Sequence, residues 1–95
     1  MTINEAKKLN IGDFVKIINT HKEKKTGNDE CIWVVVGINN IIRSRSPIMT
    51  FDLKLIKGPY KYWDRNEIIE EGMIINRTNR ALKKVNIISI MTEDV

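Results

Sequence analysis

The sequence predicts a small, mainly β domain closed into a compact barrel. Three observations carry this reading. A Gly12-Asp13 turn is followed at once by Phe14-Val15-Lys16-Ile17-Ile18, a run of β-branched and aromatic residues. Glycine permits the positive φ of a tight turn, and aspartate bonds nearby backbone just before the strand begins. Apolar runs of strand length recur along the chain, separated by polar or Gly/Pro-containing stretches. Seventeen isoleucines against four leucines tilt the apolar set toward side chains that favour a pleated surface. The same wealth of Ile, Asn and Lys also fits an AT-rich genome, as in many viruses and low-GC bacteria.

The elements follow in order. Thr2-Ile3-Asn4-Glu5 fits a capping box, which opens a short helix from about Ile3 to Leu9 with Ile3, Ala6 and Leu9 on one face. The first strand runs from Asp13 to about Thr20. His21 to Glu30 is polar throughout and reads as a long, exposed hairpin loop. The second strand, Cys31 to Asn39, is apolar on both faces, so it belongs in the middle of the sheet or under the helix. Arg43-Ser44-Arg45-Ser46-Pro47 makes a basic connection.

The third strand alternates most cleanly, with Met49, Phe51, Leu53 and Leu55 on one side and Thr50, Asp52 and Lys54 on the other. Gly58-Pro59 ends it. Tyr60 to Trp63 reads as a short strand, and Asp64 to Ile69 as one helical turn capped by Asp64. Met73 to Asn76 and Val85 to Met91 supply the remaining strands, with Thr78 to Lys84 either a loop or one helical turn between them.

Leu9-Asn10-Ile11-Gly12-Asp13-Phe14-Val15 resembles the Leu-x-x-Gly-Asp-x-Val opening of KOW- and Tudor-type barrels and of small phage barrel proteins. Together with five short strands and a late helical turn, the resemblance implies a five-stranded SH3-like barrel with a short N-terminal helix. The match covers about residues 9–91 as architecture and seven positions as motif. It completes neither a KOW glycine pattern nor a Tudor aromatic cage, so no family site is carried over. An OB-fold, also a five-stranded barrel, is the alternative.

A chain of 95 residues fits a single domain spanning 1–95. Cys31 is the only cysteine, which leaves no internal disulfide and points to a cytoplasmic, intracellular location. No apolar run is long enough for a membrane span. The net charge of +4 is concentrated in residues 31–63, where Arg43, Arg45, Lys54, Lys57 and Lys61 face only Asp52. Charge of one sign gathered in this way suits an anionic partner.

Catalysis finds little material. Cys31 at the edge of an apolar strand reads as a core residue, and His21 beside Lys22 as a solvated one. One Cys and one His do not make a metal site, and no cofactor fingerprint is present, so neither metal nor cofactor is expected. The best constellation is Lys57-Gly58-Pro59-Tyr60-Lys61-Tyr62-Trp63-Asp64-Arg65. Aromatic faces stack on unpaired bases while interleaved cations follow the phosphates. The expectation is therefore a non-enzymatic nucleic-acid-binding module that uses Arg43, Arg45, Lys57, Lys61 and Arg65 for phosphate and Tyr60 or Tyr62 for stacking. Lys22, Lys24 and Lys25 would extend the surface. In alternating structure Tyr60 and Tyr62 share a face opposite Trp63, so part of this cluster also serves the core. The alternative is a viral or mobile-element module that docks on or inhibits a host protein, with self-association open to an edge-rich barrel.

Overall fold

A computed structural model describes residues 1–18, 28–41, 47–61 and 67–85. It is mainly β, with one small helix. The strands are β1 (Phe14–Ile17), β2 (Ile32–Ile41), β3 (Ile48–Lys57), β4 (Tyr60–Lys61), β5 (Ile68–Ile69), β6 (Ile74–Thr78) and β7 (Leu82–Val85). Five of them form one antiparallel sheet in the order β6-β3-β2-β1-β7, and β4 and β5 pair as a separate two-stranded ribbon. Among the described residues β6 and β7 do not meet, so the five-stranded sheet is open where closure into a barrel was expected.

The capping box is present. The Thr2 hydroxyl accepts from the Glu5 N–H at 3.2 Å and the Thr2 N–H donates to Glu5 Oε1 at 3.0 Å. The helix, α1 (Ile3–Ala6), is shorter than predicted. After Ala6 the chain tightens to i→i−3 bonds, Lys8 N–H to Glu5 O and Leu9 N–H to Ala6 O, each 3.1 Å. That geometry still delivers Leu9 to the core beside Ala6. The Thr2 N–H, and then the Thr2 side chain, hold the Glu5 carboxyl below its ordinary range. A carboxyl lowered on folding contributes stability above its unfolded pKa and loses it as pH falls through the folded value. Carboxyl chemical shifts followed through an acid titration should give Glu5 a midpoint below that of an ordinary glutamate, and Thr2→Ala should bring it part of the way back.

The predicted Gly12 turn is observed, with Gly12 at φ +97°. Asp13 Oδ2 accepts from the Asn10 N–H at 2.8 Å, closing the turn ahead of β1. β3 keeps its alternation: Met49, Phe51, Leu53 and Leu55 are buried. β2 lies between β1 and β3, as its two apolar faces predicted, but its outer face is not wholly covered. Val35 stands opposite Leu53 while Gly37 stands opposite Asp52, so Val36 is an extra residue, a bulge. The bulge leaves Val36 40% exposed and flips the parity of the strand, so that Ile38, not Gly37, faces the core opposite Phe51. Gly37 eases the close approach there, because a Cβ would stand 3.1 Å from that of Asp52 and would push its carboxylate aside.

Three other expectations are corrected. Ile68-Ile69, read as part of a helical turn, is strand β5, since Tyr60-Lys61 offers it backbone partners and β-branched residues accept an extended conformation readily. Thr78 to Lys84, read as a loop or one helical turn, divides into a three-ten turn, Asn79–Ala81, and most of β7, while residues 86–91 of the strand expected over Val85 to Met91 lie outside the described residues. Asn28, placed in the exposed loop, lies in a three-ten turn, Asn28–Glu30, and is buried.

Candidate functional site: a basic sheet edge

Of the seven residues singled out for binding, Arg43, Arg45, Tyr62 and Arg65 lie outside the described residues, as do His21 and Trp63. Lys57 ends β3, opposite Ile32. Tyr60 is 7% exposed, and its ring meets Trp33 edge-on at 5.7 Å with an interplanar angle of 80°. A ring packed in this way closes the core and offers no face to a base, which corrects the stacking role given to Tyr60. Lys61 is exposed, opposite Ile68, with Glu67 and Glu70 flanking β5. Its surroundings are therefore of mixed charge.

What fixes Lys61 is its backbone. The Asn28 side-chain amide accepts from the Lys61 N–H at 2.8 Å and donates to the Lys61 carbonyl at 2.7 Å. One asparagine thus occupies the place of a neighbouring strand on the open side of β4. Asn28→Ala should cost about 2 kcal/mol, for the hydrogen bonds lost and the backbone groups left to find water. A urea melt checks the figure. Cys31 is buried and its Sγ donates to the Pro59 carbonyl at 3.2 Å, the setting of a core thiol.

The fold gathers cations elsewhere. Among the described residues β7 is an edge strand; it carries Lys83 and Lys84, and Lys16 on β1 lies directly across from Lys83. Arg80 is exposed on the turn that leads into β7. Lys8 approaches from the end of α1. Asn79 holds these parts together: its Nδ2 donates to the Met1 carbonyl at 3.0 Å and its Oδ1 accepts from the Met49 N–H at 3.3 Å. A groove of about 580 Å³ opens here, lined by Ile18 and Leu82 and by Lys8, Lys83, Lys84 and Glu5. Lys84 Nζ stands 3.8 Å from Asp13 Oδ2, and Lys16 Nζ 3.8 Å from Glu30 Oε2. Contacts so long and so exposed bind their lysines weakly and leave them able to meet a stronger anion.

Sequence reasoning missed this edge because its cations come from three distant stretches, in thirds of the chain whose summed charge is small: +1 over residues 1–30 and −1 over residues 64–95. The Lys83-Lys84 pair was the available signal. Among the described residues no group of three or more His, Cys, Asp or Glu side chains is placed to hold a metal ion, and no helix is long and apolar enough to cross a membrane. Comparison with known protein families, curated proteins and solved structures gave no match to this chain.

Proposed function

We propose that this chain is a non-enzymatic binding module that holds nucleic acid by its phosphate backbone, along the edge formed by β7, β1 and α1. The observation that supports this most is the gathering of Lys8, Lys16, Arg80, Lys83 and Lys84 around one edge strand. Lysine ammonium groups act as point charges toward phosphate, and neutralising phosphates releases condensed counterions. Of the described aromatic rings, Trp33, Phe51 and Tyr60 are buried and Phe14 is half-buried, so contact is led by phosphate and tolerant of sequence. Arg43, Arg45, Lys57 and Lys61 add to the field. The SH3-like reading of the fold draws support from the place of β1, between β2 and β7, and from the three-ten turn just before β7.

The test is binding of the purified chain to labelled single- and double-stranded oligonucleotides across a salt series. Affinity should fall steeply with salt and depend little on base sequence. Absence of binding at low salt would remove the phosphate reading and leave the second one, docking on a host protein, which the exposed Ile11 and Ile68 support.

A further inference from the structure

Among the described residues the sheet ends in two edge strands, β6 and β7, and they are guarded unequally. An edge strand exposes unpaired main-chain groups, and sheets commonly shield them with lysine, proline or a bulge. β7 has Lys83 and Lys84. β6 (Ile74–Thr78) has no lysine or proline; its guards are Arg77, whose guanidinium covers the Asn76 carbonyl, and the irregular Gly72-Met73 step just before it, and among the described residues it pairs with β3 alone and leaves Ile74 61% exposed.

Ladder alternation identifies the outward groups. The Leu55 N–H donates to the Met73 carbonyl at 2.8 Å, and the register continues as Leu53 with Ile75 and Phe51 with Arg77. Residues 73, 75 and 77 therefore turn their backbone groups toward β3, and Ile74, Asn76 and Thr78 turn theirs away. The Arg77 guanidinium donates to the Asn76 carbonyl at 2.9 Å, as an outward carbonyl allows.

We propose that β6 pairs antiparallel with β6 of a second copy of this chain, about a two-fold axis at Asn76. In that register Ile74 meets Thr78 of the second copy and Asn76 meets its own counterpart. The outward N–H and carbonyl groups of Ile74 and Thr78 then pair across the axis, the Asn76 carbonyl takes the partner's N–H on the lone pair that Arg77 leaves open, and the contact is closed and isologous. Charge selects this occupant and this direction. Exposed Glu70 and Glu71 precede β6, while Arg77 and exposed Arg80 end and follow it. Antiparallel pairing sets the acidic end of each copy beside the basic end of the other, whereas parallel pairing would set like charges together.

Sedimentation of the full chain over a concentration series tests the proposal. The wild type should dimerise reversibly. Ile74→Lys changes a side chain already in solvent; it should leave the thermal midpoint nearly unchanged and weaken dimerisation by on the order of tenfold. Glu70→Arg/Glu71→Arg and Arg77→Glu/Arg80→Glu should each be monomeric, and an equimolar mixture of the two should form dimers again. A wild type that stays monomeric, a dimer indifferent to Ile74→Lys, or a mixture that fails to associate would overturn it.

Discussion

Trp33→Ala should lower the stability of the chain by about 3–5 kcal/mol, whereas Trp33→Phe should leave it close to the wild type. Trp33 is wholly buried on the inner face of β2, opposite Leu55 and edge-on to Tyr60. Truncating a buried aromatic residue to alanine costs about 3–5 kcal/mol, from lost transfer energy and the cavity left behind. Small domains have only roughly 0.05–0.15 kcal/mol of net stability per residue, so that loss is a large share of the total. Phenylalanine keeps much of the ring volume. It also removes the indole Nε1–H, which is buried with no hydrogen-bond acceptor among the described residues. Leaving a buried donor unsatisfied costs about 1–3 kcal/mol, and deleting it offsets much of the lost packing. The phenylalanine variant should therefore lie within about 1 kcal/mol of the wild type in a urea melt. A phenylalanine variant as unstable as the alanine one would mean that the indole N–H has an acceptor in solution.

The sequence made the inner face of the sheet readable and its irregularities unreadable, for one physical reason. Local patterns report which side chains seek burial, but pairing is decided by strands far away in the chain. Leu9 to Val15 and the alternation of Met49 to Leu55 depend on local chemistry and were legible. The bulge at Val36 was not, because an unbroken run of valines gives no sign of where parity changes. β5 was taken for a helical turn because Asp64 resembles an N-cap, while its true partner, Tyr60-Lys61, is set by the Gly58-Pro59 corner and the Asn28 clamp. Leu82 to Lys84 did not read as strand because Leu82 is the one inward apolar residue of the three, too short a pattern to read without β1 beside it. The same logic governs the site. Summing charge along the chain finds the excess in residues 31–63, but pairing β7 with β1 and tying Asn79 to Met1 brings cations together from both ends.

That difference between linear and folded charge makes the decisive binding experiment a comparison of two surfaces. Lys8→Ala/Lys83→Ala/Lys84→Ala removes three cations around the β7 groove, and Lys57→Ala/Lys61→Ala removes two at the predicted patch. Each phosphate contact on duplex DNA contributes about 0.9 to the slope of log affinity against log salt. If the groove lysines each hold a phosphate, the triple variant should flatten that slope by about 2.7 and lose roughly 40-fold in affinity for each fourfold dilution of salt over which the wild type gains it. The double variant should change the slope by less than one contact, because Tyr60 is committed to the core and exposed Glu67 and Glu70 flank the strand that pairs with Lys61. The lysines of the triple variant are exposed and satisfy no buried group, so its thermal midpoint serves as the control for folding. The reverse ranking, with the double variant flattening the slope and the triple one leaving it intact, would return the phosphate path to the central basic stretch and leave the β7 edge as a guarded strand.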